Sequence, residues 1–329
     1  MATYKGIKGF SIQNLSADPS NPIEGEMWYN STSNVWKEST LTTAGAWATG
    51  NNMNTARSYL AGAGTQTAAL AFGGETPPYT GVTEEYDGIS WTNSNPLNTA
   101  RAAFAGAGIQ TAAFAVGGET PGAPTGATEE YDGASWVTTN PLNTVRRSLG
   151  ACGTQTAGLA FGGNTGSPTA ATEEYDGNSW TSNPTGLNTA RIGVRGCGIQ
   201  TAALAFGGLP SPLGSALTAT EEYNGSTWAS NPTGLNTART LLGAAGTQTS
   251  ALGFGGATDY LNTKTAATEE YDGSTWTSVN SMNTPVFALA GAGTQTAALA
   301  FGGYSTAVTA ATEEWTGAGA PTTKTITVS

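Results

Sequence analysis

The chain has 329 residues, with 12 Lys plus Arg against 23 Asp plus Glu, a net charge of −11, and no histidine. This excludes a histidine base or a histidine-ligated metal centre, and it makes a grip on nucleic-acid phosphates a poor prospect. Charged residues are 11% of the chain, well below the roughly 25% of ordinary soluble proteins, but hydrophobic residues are 38% with nine Trp, enough to build a packed core and exclude disorder. The opening MATYKGIKGF is polar, and no apolar run follows that would make a secretory signal. Nowhere do apolar residues run long enough for a membrane span, so no membrane insertion is expected.

Residues 1–40 stand apart from the periodic pattern that fills the rest of the chain. Their proline-rich stretch cannot be helical. MWYN and VWKE flank Ser-Thr-Ser as short aromatic strands, which predicts a small β-hairpin. The pattern Asp-Pro-x-x-Pro-x-x-Gly-x-x-Trp-Tyr-Asn, closed by Lys37, resembles a short N-terminal module of marine phage structural proteins, notably tail and fibre components. The resemblance covers residues 10–38 or so. It implies that Asp18, Pro19, Pro22, Gly25, Trp28, Tyr29 and Asn30 shape an attachment module whose partners are other virion proteins. The competing reading is a leader that packs against the rest of the fold.

From Trp47 onward a unit of 44 to 48 residues repeats. Thr-Glu-Glu-Tyr begins at Thr83, Thr128, Thr172, Thr220 and Thr268, and a sixth copy at Thr312 ends in Trp315. Gly-Gly doublets run from Gly73-Gly74 to Gly302-Gly303, and Trp91, Trp136, Trp180, Trp228 and Trp276 each follow a Tyr by five residues. Arg57, Arg101, Arg146, Arg191 and Arg239 open the units. Each unit reads as four strands: one from the Arg through a small-residue stretch such as RAAFAGAG, one ending at Gly-Gly, ATEEYDG, and one around the Trp. Asp-Gly or Asn-Gly between the last two predicts a two-residue type I′ hairpin. Four-stranded antiparallel units repeated radially predict an all-β fold, a six-bladed β-propeller over residues 41–329.

The Gly-Gly, Glu-Glu-Tyr-Asp, Trp and Arg markers resemble the kelch repeat over about residues 47–315, which implies Tyr and Trp packed between blades. The sixth unit lacks a following Trp, and Trp47 stands ahead of the first unit without a third strand before it. Residues 42–49 are therefore expected to supply the missing fourth strand and close the ring, with the C-terminal TTKTITVS as competitor or extra edge strand. Cys152 and Cys197 fall in a ring of small residues with Ala63, Ala107, Ala245 and Ala292, which predicts a packing role.

Twelve of the 23 acids are the six Glu-Glu pairs. A catalytic carboxylate pair is normally unique, so a repeated one is read as scaffold, joined to the repeated Arg. Only Arg147 and Arg195 lie outside the repeat. No catalytic residue, metal or cofactor is expected. Function is sought where the units differ: the loops after the Gly-Gly doublets, carrying Tyr79, Leu209, Leu213, Leu217, Tyr260, Leu261 and Tyr304. These side chains suit binding of a host-surface glycan or protein, or else they cover the loops' own bases. The expected function is that of a non-enzymatic virion component on the phage particle surface. The rivals are a sialidase-like carbohydrate-active enzyme and a kelch protein-interaction adaptor.

Overall fold

The structure is a computed structural model that describes residues 13–19, 26–41, 44–212, 214–259, 263–318 and 321–326. Among these residues all regular structure is β-strand, and no helix is long and apolar enough to cross a membrane. The chain divides into two units: residues 46–316, and the two ends, 1–45 with 317–329.

The larger unit is a propeller of six four-stranded antiparallel sheets. The first blade is Ala61–Gly64, Ala69–Phe72, Thr83–Tyr86 and Trp91–Ser94. The second is Ala105–Ile109, Ala112–Val116, Thr128–Tyr131 and Trp136–Thr139. The next three follow the same plan, with Tyr opposite Trp in every outer pair. The sixth takes Ala290–Gly293, Ala297–Phe301 and Thr312–Thr316 from the C-terminal side and Ala46–Gly50 from the N-terminal side. In that last pair Trp47 lies opposite Trp315.

Two local expectations shift. The innermost strand begins after the repeat Arg, because a residue with φ between 51° and 63° intervenes: Tyr59, Ala103, Ser148, Gly193, Leu241 or Ala288. Also, the outer hairpin turns one residue later than a type I′ Asp-Gly. Gly88 has φ +91°, but Asp87 stays out of the left-handed region and its carboxylate accepts from Ile89 N–H (2.8 Å) and Ser90 N–H (2.6 Å). The Asp caps the corner, and glycine takes the first central position of a II′-like turn.

A recurring set of contacts joins each blade to its predecessor. Trp136 Nε1 donates to Thr83 Oγ1 at 3.0 Å, and its ring packs 4.9 Å from Phe72. Tyr131 donates to Glu85, and Gln110 donates to Ala69 O and Tyr86 O. The first blade meets the sixth in the same way: Trp91 with Thr312 and Phe301, Tyr86 with Glu314, Gln66 with Ala298 O and Trp315 O. Near the axis the left-handed residues form a cycle of six backbone hydrogen bonds. Ala103 N–H donates to Tyr59 O, Ser148 to Ala103, Gly193 to Ser148, Leu241 to Gly193, Ala288 to Leu241, and Tyr59 to Ala288, the starting point. The left-handed conformation turns each N–H and C=O along this circle, which is why non-glycine residues sustain a φ that normally costs about 1–2 kcal/mol.

The core lies between blades. Trp136 is only 5% exposed, and the other repeat Trp residues are equally buried. The innermost strands must be nearly bare: a Cβ on Gly62 would sit 2.6 Å from Phe301 Cζ. Cys152 and Cys197 are buried free thiols in the small-residue ring, and burial pushes Cys197 up to about 12, which makes it unreactive packing.

In the end unit, Met27–Asn30 pairs antiparallel with Val35–Leu41 around residues 31–34, and Gln13–Leu15 lies parallel to Met27–Asn30. Pro321–Ile326 adds to the free edge of Val35–Leu41. The C-terminal strand thus belongs to this small sheet, outside the six blades.

Candidate functional site

The repeated charges are consumed by the scaffold. In blades one to five the Arg pairs with the first Glu of its own unit, as in Arg57–Glu84 (3.1 Å), Arg101–Glu129 (2.5 Å) and Arg239–Glu269 (2.7 Å). All five arginines are fully buried. Each also donates Nη2 to a carbonyl of the second strand, for example Arg101 to Ala115 O at 3.3 Å. The glutamate accepts in addition from two backbone N–H groups, Asn98 (2.7 Å) and Thr99 (3.2 Å) for Glu129. Burial lowers Arg57 and Arg146 to about 10, against the upward pull of Glu84 and Glu173. The second Glu takes the Tyr hydroxyl of the next blade; burial foremost raises these tyrosines, Tyr131 and Tyr175 to about 12. Glu270 is the exception, because Trp315 stands in place of the tyrosine in the sixth blade; in the other five units the second Glu accepts the Tyr hydroxyl.

The loops after the Gly-Gly doublets share a face with the connections between blades. Leu97 N–H donates to Gly81 O, and the same bond recurs at Leu142, Leu187, Leu235, Met282 and Met53. This face also carries the left-handed ring, because Ser58, Ala102, Arg147, Ile192, Thr240 and Phe287, just before the ring residues, pair with Glu75, Glu119, Asn164, Leu209, Ala257 and Tyr304, the first loop residues.

Around the axis, these non-repeated side chains fall into two groups. On blades one to three, Glu119 accepts from Tyr79 Oη at 3.1 Å and pairs with Arg147. Burial first, then the bond to Glu119, raises the Tyr79 hydroxyl. On the opposite side, Phe287 lies 6.3 Å from Tyr59 and 5.6 Å from Tyr304, and Lys264 Nζ stands 5.6 Å from the Tyr304 ring centroid. The face thus carries an acid–base cluster on one side and an aromatic cluster on the other.

Of the residues expected at this face, Tyr79 and Tyr304 lie on blades one and six, Tyr79 half-buried and Tyr304 36% exposed. Leu209 is buried with Ile192 and Ala216, so it seals its own loop. Leu217 is half-buried, its N–H held by Gly208 O. Leu213, Tyr260 and Leu261 lie outside the described residues. Tyr59, Glu119, Lys264 and Phe287 were not anticipated; aligning the units at the left-handed position, where Tyr59 replaces Ala, Ser, Gly or Leu, would have revealed the first.

The N-terminal motif is built around one carboxylate. Asp18 accepts from Asn30 Nδ2 (2.7 Å), Trp28 Nε1 (3.0 Å) and Lys37 Nζ (3.0 Å). These bonds, that from Asn30 foremost, hold its pKa below the ordinary value. Trp28 is buried, and Tyr29 packs on Trp36 at 5.4 Å. Asp18, Trp28 and Asn30 therefore knit the module together, leaving Tyr29 at its half-buried surface. Pro19 follows Asp18 with its side chain half-buried; Pro22 and Gly25 lie outside the described residues.

Among the described residues no three acidic or thiol groups gather as metal ligands would. Neither a scan against protein-family models nor a search of curated proteins gives a match for this chain.

Proposed function

We propose that this chain is a non-enzymatic virion component: a kelch-like propeller joined to a phage particle through its N-terminal module, whose loop face takes a host-surface glycan or protein. The observation that carries the binding reading is the division between repeated and non-repeated polar groups. The glutamate pairs, Glu270 apart, and the five repeat arginines are engaged in the scaffold, whereas the loop face carries Tyr79, Glu119 and Arg147 on one side and Tyr59, Phe287, Tyr304 and Lys264 on the other. A face of mixed aromatic and charged groups on a rigid ring suits recognition more than turnover. The virion assignment rests on the N-terminal motif, whose Asp18, Trp28, Asn30 and Lys37 act as one hydrogen-bonded set.

Mass spectrometry of density-purified particles, followed by immunogold labelling, tests this. The chain should be found in particles in fixed proportion and at one location, and a fusion of residues 1–45 should follow it there. Absence from the particles, or cleavage of a host polysaccharide abolished by one Asp or Glu substitution, would overturn the proposal.

A further inference from the structure

The innermost strands carry small residues at their first position: Ala61, Ala105, Gly150, Gly243 and Ala290. In the fourth blade the same position is Arg195. It lines a cavity of about 70 Å³ on the axis, whose wall is made by the starts of all six inner strands, mostly Gly, Ala and Leu. One water needs roughly 10–15 Å³, so there is room for a small oxyanion.

Arg195 differs from every other arginine in the chain. The other six are each paired with a carboxylate. Among the described residues Arg195 has no carboxylate within ion-pair distance, and it makes one long hydrogen bond, Nη1 to Val194 O at 3.3 Å. Burial lowers it to about 10, with Tyr59 opposing, so it remains a cation at neutral pH. Arg195 is half-buried, and the apolar wall around it strengthens whatever partner it finds.

We propose that Arg195 forms an oxyanion-binding site at the propeller axis, taking a carboxylate or a small inorganic oxyanion through its guanidinium fork. The planar fork matches two oxygens of such a group, which a lone halide cannot offer. A ligand approaching by the loop face would meet this site at the end of the axis where the left-handed ring lies. The inference is independent of the virion assignment: particle composition decides that one, and an anion titration decides this one.

The test uses the full chain and Arg195→Ala, which installs the residue of blades one, two and six and so should fold. Acetate, phosphate and chloride are titrated at constant ionic strength, reading thermal unfolding and the Arg195 Nε–Hε resonance. The wild type should show a saturable rise in melting temperature with acetate or phosphate and a matching resonance shift, with chloride at least tenfold weaker. The rise should vanish in Arg195→Ala. A hexuronic acid set against the neutral hexose separates a ligand's carboxylate from a free oxyanion; preference for either acid supports the site. Equal shifts in the two proteins, or an unmoved Arg195 resonance, would overturn it.

Discussion

Blades five and six hold the same glutamate in the same place, but only one has an arginine beside it. Glu269 accepts from Asn236 N–H (2.6 Å), Thr237 N–H (3.2 Å) and Arg239 Nη2 (2.7 Å). Glu313 accepts from Asn283 N–H (2.8 Å) and Thr284 N–H (3.1 Å), and the arginine's position is taken by Val286, packed in a cluster with Met282 and Leu289. The two backbone donors thus hold the carboxylate in both blades, and the cation is an addition to them. A second difference follows. Trp315 replaces the tyrosine and turns its Nε1 to Gln295 O at 2.9 Å. Glu270 of the preceding blade then loses the hydroxyl that Tyr271 gives Glu222, and burial raises its pKa. Blade six, assembled from both ends of the chain, keeps the interblade tryptophan contact and relinquishes two polar ones.

The tryptophan contact should therefore be as costly to remove at the seam as elsewhere. Trp47→Ala and Trp136→Ala are each expected to lose about 3–5 kcal/mol, the range for truncating a buried aromatic. Denaturant unfolding reads both, and a Trp47 variant as stable as wild type would separate the seam from the other interfaces. Next in size is Arg239→Val, which copies blade six into blade five. It should cost about 3 kcal/mol, the low end for breaking a buried pair, because two N–H groups still hold Glu269. A neutral result would make the arginines dispensable throughout.

The smallest effect is pH-dependent. Glu270 has a raised folded pKa, so its contribution to stability is present below its unfolded pKa and lost as pH rises through the folded value. Glu270→Gln should raise the melting temperature slightly at pH 7 and leave it unchanged near pH 3. Glu222→Gln, facing Tyr271, should not raise it at either pH. Identical behaviour of the two variants would contradict the comparison.

The repeat made the blade plan and the supply of a sixth-blade strand from the N-terminal side legible, because each marker has a fixed register in the sheet: Trp47 lies opposite Trp315 as Trp91 lies opposite Tyr86. What could not be read was direction and depth. Gln66 and its equivalents look like turn residues, yet their side chains reach the preceding blade. Leu209 sits in a variable loop but folds under it, since an apolar side chain at the loop's first residue meets Ile192 across the bridge. Arg195 was visible as an arginine outside the repeat, but its place on the axis depends on which side of the innermost strand faces inward.

The division between scaffold and loop face is tested most directly by measuring stability and host-cell retention on the same variants. Arg101→Met, in the scaffold, and the pair Tyr79→Phe with Arg147→Ala, on the loop face, form the set. The account predicts that Arg101→Met lowers the melting temperature, while material that remains folded is retained by host cells as wild type. The loop-face variants should melt within a degree or two of wild type, with retention reduced severalfold. Loop-face variants retained like wild type, or a stable Arg101→Met that no longer binds, would contradict it.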